Sequence, residues 1–253
     1  MYVACSTLCF GKLPLDEALR VIREMNFPKA DLALHEPGPH LRPSDVAADP
    51  AKVAQKLKAA NLPFAAFHLG LTESDGPDAR GHLKAACRLA RVLAVPLVTV
   101  PAAPLGSDFE ADASRLAEWA KVASAEGVML TVETRSDTLT ADPLVAVELC
   151  RRVPGLGLTL DPSHYTVGPH EPANYDPLFP YVRHVRLRDS GRLPEQFQVR
   201  VGQGEIEYGR IISHLDRFHY DRALTVDVRD APDAPFPVEP EVRKLKYLLE
   251  SLV

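Results

Sequence analysis

Short apolar stretches alternate with amphipathic stretches along almost the whole chain. Each short stretch has four to six residues and lies between turn-forming residues, which predicts a buried strand. Eight strands are predicted in this way: YVACS (2–6), ADLAL (30–34), FAAFHL (64–69), LVTV (97–100), MLTVE (129–133), LGLTLD (156–161), VRHVRL (182–187) and ALTVDV (223–228).

The segments between these strands carry the signals of helices. PLDEALRVIREM (14–25) spaces its apolar residues three and four apart and begins with Pro14 and two acids, which favour a helix start. Further helices are predicted at 50–60, within 77–93, near 108–126, at 142–152, around 174–181, at 208–218 and at 240–251.

This alternation predicts parallel strands joined by right-handed crossovers. Eight units within 253 residues are typical of a closed (β/α)8 barrel, the TIM barrel, whose functional residues lie at the carboxyl ends of the strands. On pattern alone, an open doubly wound sheet is the alternative. No change of composition marks a second domain, so we predict one α/β domain that spans residues 1–253.

Three of the predicted strands end alike, with a threonine followed two residues later by an acid. The acids are Glu133, Asp161 and Asp227, in LTVETR (130–135), LTLDPS (158–163) and LTVDVR (224–229). Side chains two residues apart share a strand face, so each acid is expected to point into the barrel mouth. A single acid at a strand end commonly caps a helix or pairs with a surface lysine, but three in one register predict a site.

Cationic residues are predicted at the same mouth. His184, Arg186 and Arg188 share one face of the segment HVRLRDS (184–190), opposite two apolar residues. A buried guanidinium keeps its charge and needs a carboxylate partner. The inward-register arginines Arg135, Arg186, Arg188 and Arg229 carry +4 against −3 for the acids. We therefore expect Arg–carboxylate pairs, and a surplus of positive charge that favours an anionic ligand such as a phosphorylated or carboxylated sugar.

Two histidines are further candidates for substrate contacts. His68 ends the third strand in FHLGL, and His164 follows Asp161 in DPSHY. A lone histidine in such a position is often structural, but two on one rim favour a polar pocket.

With these residues the chain resembles the sugar phosphate isomerase/epimerase superfamily of xylose isomerase-like TIM barrels, which includes endonuclease IV-type enzymes. The resemblance covers nearly the whole chain and is carried by VET, DPSH, HVRLRD, VGQGEIEYGRII and LTVDV. It implies that Glu133, Asp161 and Asp227 belong to a set that binds one divalent metal (Mn²⁺, Mg²⁺ or Zn²⁺). It further implies that Glu133 and Asp227 move a proton at a carbon beside a carbonyl, and that His164 contacts the substrate or lies next to the metal. From their positions at the mouth, we also expect His68, Arg186 and Arg188 to contact the substrate.

The chain departs from that family pattern at two of the four metal ligands. Family members often read HVHLKD where this chain has HVRLRD, so Arg186 stands where a histidine would ligate the metal. A guanidinium has no lone pair to offer and repels a cation. Asp227 is also one methylene shorter than the glutamate usual there. The divalent metal is therefore in doubt, and arginines could hold the acids without it.

Composition limits the remaining function classes. The net charge is −5 and the pI about 6.0, so no general affinity for nucleic acid is expected. No apolar run is long enough to span a membrane, and the opening MYVACSTLCF does not look like a signal peptide. The four scattered cysteines are typical of reduced thiols, so we expect a cytoplasmic protein. A homo-oligomer is compatible with the sequence.

The sequence thus favours an isomerase or epimerase of carbohydrate metabolism, acting on a sugar, sugar acid or cyclitol. A lyase or dehydratase would use the same proton abstraction. The alternative from another class is a barrel that has lost catalysis and binds an anionic metabolite. An endonuclease acting on damaged DNA fits poorly, because it needs a histidine-rich metal site and a basic surface.

Overall fold

Eight parallel strands close into a barrel in which their order around the ring is their order along the chain. The structure is a computed structural model that describes residues 1–71, 78–167, 174–230, 234 and 236–253. The strands are β1 (Tyr2–Ser6), β2 (Ala30–His35), β3 (Phe64–Gly70), β4 (Leu97–Pro101), β5 (Met129–Glu133), β6 (Gly157–Leu160), β7 (Val182–Leu187) and β8 (Ala223–Val226). Because β8 pairs with β1, the sheet has no open edge, and the predicted TIM barrel is confirmed.

Helices follow the strands and cover the outside of the barrel. Within the described residues they are α1 (Leu15–Glu24), α2 (Pro43–Ala48), α3 (Pro50–Ala59), α4 (Ala79–Val92), α5 (Phe109–Ala125), α6 (Pro143–Arg152), α7 (Ser163–Thr166), α8 (Tyr208–Arg217) and α9 (Val238–Glu250). Their apolar faces pack on the outward-pointing residues of the strands, as in α1, where Leu15, Leu19 and Ile22 are buried.

The helix predictions hold, apart from the additional short helices α2 and α7 and the type of one helix. The short helix α2 precedes α3, because Pro43 and Pro50 each start a helix of their own. The segment predicted around 174–181 is a 3-10 helix, Asp176–Tyr181, which contains Pro180. The predicted range 77–93 is occupied by α4, and residue 77 lies outside the described residues.

A layer of threonines fills the barrel interior below the mouth. The hydroxyls of Thr99, Thr131 and Thr159 lie 2.8–2.9 Å from one another, and all three side chains are buried. Thr225 lies on the same inner face, with its hydroxyl 3.3 Å from His184 Nε2. The predicted inward register of the LT motifs is therefore correct, and the acids two residues further on lie at the mouth.

The apolar core lies between the strands and the helices. Val132, Leu158, Leu160, Leu224 and Val226 alternate with the inward threonines and are fully buried. The four cysteines are free and buried. Among the described residues, no helix combines the length and the apolar character needed to cross a bilayer.

The threonine layer generates a stability prediction. Thr159→Val keeps the side-chain volume but removes the hydroxyl bonded to both Thr99 and Thr131, so we expect the free energy of unfolding to fall by about 1–3 kcal/mol. Urea unfolding would measure it. The matched control is Thr166→Val, at a half-buried threonine whose hydroxyl makes one bond to the Pro162 carbonyl. Equal losses in the two variants would contradict a special role for the layer.

Candidate active site at the carboxyl-terminal mouth of the barrel

The three predicted acids and two of the predicted arginines converge at the mouth. Glu133 is the last residue of β5, whereas Asp161 and Asp227 directly follow β6 and β8. Arg186 lies in β7 and Arg188 directly follows it. All five side chains are fully buried, so each charge depends on partners within the protein.

Arg186 occupies the centre of this cluster. Its Nη1 lies 3.2 Å from Glu133 Oε1, and its Nη2 donates to Asp227 Oδ1 at 2.8 Å and to Ser6 Oγ at 3.1 Å. Its Nε lies 3.6 Å from Asp31 Oδ2. One guanidinium therefore joins acids from β2, β5 and the end of β8.

Arg188 joins the remaining acid to the same cluster. Its Nη2 donates to Asp161 Oδ2 at 2.7 Å and to Asp227 Oδ2 at 2.5 Å. Its guanidinium carbon lies 4.8 Å from the centre of the Phe197 ring. Arg229 is the third arginine in contact with Asp227, and its Nε donates to Oδ2 at 3.2 Å. The predicted Arg–carboxylate pairs are thus present in the structure.

Asp31 is a member of the cluster that sequence reasoning missed. It is the second residue of β2, is buried, and accepts a hydrogen bond at 3.0 Å from Nε2 of His184. The one available signal was an acid inside the apolar run ADLAL (30–34). A single acid in a strand carries little information, because its partner lies 153 residues away in the sequence.

Asp189 fixes the loop that follows β7. Its carboxylate accepts hydrogen bonds from the backbone amides of Ser190, Gly202 and Gly204 at 3.0, 2.6 and 3.1 Å. This loop carries Phe197, which packs on Arg188 and on the ring of His164, with the two rings 4.7 Å apart. Asp189, the last residue of HVRLRD, therefore binds the backbone of the VGQGE segment and fixes its position.

His68 links the buried acids to the surface of the mouth. Its Nε2 lies 3.1 Å from Glu133 Oε2, and its Nδ1 lies 2.6 Å from Arg186 Nη1. Because a guanidinium can only donate, Nδ1 accepts, and the Nε2–H donates to Glu133. Burial and the Arg186 charge lower the pKa of His68, which keeps the ring neutral.

His35, which sequence reasoning also missed, extends this chain outwards. Its Nε2 lies 3.2 Å from the accepting Nδ1 of His68, so His35 donates, and burial holds its pKa well below the usual value. The ring fits only because residue 70 is a glycine, since a Cβ there would lie 2.9 Å from Nε2 of His35. The glycine in FHLGL was the sequence signal of that close approach.

His164 contacts the cluster from another side. Its Nδ1 accepts a hydrogen bond from the Ser136 amide at 3.2 Å, and its Nε2 lies 3.8 Å from Asp161 Oδ2. Burial lowers the pKa of its ring.

A cavity of about 660 Å³ opens at the ends of β2 to β5. Polar and aromatic residues on its wall include His35, His68, Arg115, Trp119, Arg135 and Asp137. Among the described residues predicted at the mouth, His68 and Arg135 lie on this wall, whereas the three acids are fully buried and do not. A ligand in the cavity would therefore reach Glu133 through His68, which bonds Glu133 Oε2, and Arg135, whose Nη1 lies 3.9 Å from the same oxygen.

The charges at the mouth balance more closely than the sequence suggested. Asp31 and Asp137 join the three predicted acids, and Arg135 makes a bidentate pair with Asp137. Five carboxylates then face four arginines, Arg135, Arg186, Arg188 and Arg229, which leaves a charge of −1 when the histidines are neutral. The expected surplus of positive charge is absent from this set, so charge gives no reason to prefer an anionic ligand.

The arginines keep the buried acids ionised. Burial alone would raise the pKa of Asp227, but Arg186, Arg229 and Arg188 hold that pKa far below its usual range. Burial also opposes ionisation of Glu133, whose pKa is nevertheless held well down by His68 and Arg186. Both acids are therefore carboxylates at neutral pH, and Asp227 is the harder of the two to use as a proton donor because three arginines contact it.

The residues present do not fit the divalent metal that the family resemblance implies. Arg186 projects among the expected ligands, offers only N–H donors, and contacts two of them. A +1 and a +2 charge about 4 Å apart repel by roughly 8 kcal/mol at an effective dielectric of about 20. Among the residues that the structure describes, no group of three or more His, Cys, Asp or Glu side chains is arranged to hold a metal ion.

Comparison with known proteins identifies relatives of the fold. A family model described as xylose isomerase-like TIM barrel matches residues 19–249. Among solved structures, a D-tagatose 3-epimerase-like protein has a TM-score of 0.74 at 18% identity, with 100% of this chain and 98% of the other covered. An L-ribulose 3-epimerase has a TM-score of 0.73 at 15% identity, with 99% and 95% covered.

A further solved structure is a xylose isomerase-like TIM barrel protein from Mycobacterium smegmatis in complex with magnesium. Its TM-score is 0.76 at 18% identity, with 100% of this chain and 98% of the other covered. At such identities the likeness establishes the shared fold. No curated protein matches the chain.

The neutral buried histidines generate a prediction about pH. Because the pKa of His68 is lowered in the folded state, the unfolded state binds more protons, and stability must fall as the pH drops below about 6.5. His68→Asn should reduce the slope of unfolding free energy against pH between about pH 5 and 8, whatever its effect on stability at pH 8. Urea unfolding at a series of pH values measures that slope.

His219→Asn is the matched control, because His219 is exposed on the surface with a positive φ that asparagine also tolerates. This control should keep the wild-type slope. An unchanged slope in His68→Asn would contradict the neutral state of the buried ring.

Proposed function

The chain belongs to the xylose isomerase-like TIM barrel family, and we propose that it is an isomerase or epimerase of a sugar-like substrate. The substrate would be a small polyhydroxy compound with a carbonyl group, which is the chemistry shared by the sugars in the names of the two epimerases of this fold. A cavity of about 660 Å³ is of a size that small-molecule sites commonly have.

One observation carries this proposal, namely a row of hydrogen-bonded side chains that runs from the cavity wall to the barrel axis. It starts at His35 and passes through His68 to Glu133, which Arg186 holds from the other side. Such a row links a proton-accepting group to the ligand cavity and places a fixed positive charge beside it. That combination is what proton transfer at carbon requires.

The proposed reaction involves no net oxidation. A base removes the proton from the carbon beside the carbonyl, and the C–H electron pair becomes the C=C bond of an enolate while the carbonyl oxygen takes up the negative charge. Return of a proton to the opposite face of the same carbon gives an epimer. Return of the proton to the former carbonyl carbon, with transfer of the hydroxyl proton of the adjacent carbon to the enolate oxygen, gives an isomer. Glu133 is assigned the proton transfer, and Arg186 and Arg135 are the cations nearest to it.

Asp227 is less suited than Glu133 to the second acid/base role that the family resemblance implies. Both of its oxygens accept from arginines, and its pKa is held far below the usual range. We assign it mainly to positioning Arg186 and Arg188. The returning proton would then come from Glu133 itself or from a group on the cavity wall.

A second candidate is a barrel that binds a sugar-like metabolite without catalysis. The specific observation that favours it is the burial of Glu133 behind His68, with both carboxylate oxygens already accepting hydrogen bonds. Binding in the cavity would then depend on Arg135, Asp137 and Trp119. The two candidates differ in one measurable property, the exchange of a carbon-bound proton.

The test is deuterium incorporation from heavy water into a panel of ketoses and their phosphates, followed by NMR. We expect the wild-type protein to exchange the proton beside the carbonyl of at least one sugar. Glu133→Gln should slow this exchange by about 10²–10⁴-fold, because it removes the base. The matched control is Glu110→Gln, at an exposed glutamate on α5 that pairs with Arg152, and it should leave the rate unchanged.

The outcomes separate the two candidates. Absence of exchange, together with a calorimetric signal for a sugar that is lost in Arg135→Met, would favour the binding protein. Neither exchange nor binding across the panel would overturn both. Equal rates for wild type and a folded Glu133→Gln variant would overturn the role of Glu133 while leaving the activity established.

A further inference from the structure

We propose that the guanidinium groups of Arg186 and Arg188 take the place of a divalent metal at the barrel mouth, so that the site is built and maintained without one. This inference is independent of the proposed function, since it holds whether the barrel catalyses a reaction or only binds a ligand. It rests on the partners of the individual carboxylate oxygens and on the charges involved.

Every oxygen of the three predicted metal-binding acids already accepts a hydrogen bond. Glu133 Oε1 accepts from Arg186 and Oε2 from His68. Asp227 Oδ1 accepts from Arg186, and its Oδ2 accepts from Arg188 and Arg229. Asp161 Oδ2 accepts from Arg188, and its Oδ1 accepts from the Ser163 amide at 3.1 Å.

The two guanidiniums also supply the charge of the ion they replace. Arg186 and Arg188 together carry +2, and each bridges two of the three acids. A guanidinium keeps its proton, and hence its charge, in proteins. A metal could therefore enter only by displacing a charged side chain from a fully buried position.

Further contacts fix Arg186 in this place. Ser6 accepts from Nη2 at 3.1 Å, His68 Nδ1 lies 2.6 Å from Nη1, and Asp31 Oδ2 lies 3.6 Å from Nε. These residues come from β1, β3 and β2, so three neighbouring strands, together with β7 itself, define one position for the guanidinium. The position is therefore specified by the fold, in the way that a metal site specifies its ion.

The wild-type protein provides the first test. We expect less than about 0.1 equivalent of any divalent metal after dialysis without chelator, and a melting temperature that changes by less than about 1 °C on adding EDTA or Mn²⁺, because a ligand that does not bind the folded state cannot stabilise it. One tightly held divalent ion per chain, or a Mn²⁺-dependent rise in melting temperature, would overturn the proposal.

Removing the guanidinium provides the second test. Arg186→His should bind Mn²⁺ at least about tenfold more tightly than wild type by titration calorimetry, because imidazole offers a lone pair among three carboxylates. Arg186→His combined with Asp227→Glu should bind more tightly still, since the longer acid reaches further. Arg183→His is the matched control, on the same strand but with its side chain bonded to the Pro180 and Val182 carbonyls, and it should show no gain.

Each outcome for Arg186→His leads to a decision about the proposal. If Arg186→His folds, shown by a cooperative melt, and gains no affinity, the guanidinium does not occupy the metal position. If the variant fails to fold, the metal content and the melting temperature of the wild-type protein decide alone.

Discussion

Neutralisation of buried carboxylates is the constraint on which the mouth of this barrel depends. Asp31, Glu133, Asp161 and Asp227 are all buried, and cationic side chains of the protein balance their charges. Arg186 lies within 3.6 Å of three of them, and Arg188 bridges the fourth to Asp227. Removing one partner of such a pair commonly costs 3–5 kcal/mol, roughly, because the other charge is left unpaired. Ion pairs, as well as apolar packing, therefore stabilise the carboxyl ends of these strands.

Much of this arrangement follows from the sequence by simple rules. Period-two alternation placed Thr131 and Glu133, and likewise the acids after β6 and β8, on the inner face, because strand geometry allows few other outcomes. The same rule placed Arg186 on the inner face of β7, at the same mouth as the acids. Asp31 and His35 escaped prediction, since each is a single polar residue whose partner comes from another strand. The pairing of Asp31 with His184 on β7 also depends on closure of the ring, which a local pattern does not encode.

The fold and the site give different kinds of information about function. The closed barrel and the family match agree with the solved epimerase structures along almost the entire chain. The polar residues at the mouth, however, depart from the family pattern that the sequence resembles, because a fixed guanidinium lies among the acids. Since one fold supports many chemistries, the activity must be argued from His68, Glu133 and their neighbours. The cavity wall, which the acids do not reach, then decides what can bind.

A cation that is part of the polypeptide also has consequences for how the chain can change by mutation. Replacement of Arg186 alone leaves several acids short of a positive charge, so the first step towards another site chemistry carries a penalty in stability. A bound cation, or substitutions among Asp31, Glu133 and Asp227, would have to accompany it to restore the balance. Arg186 and these acids are thus expected to change together or not at all among descendants of this sequence.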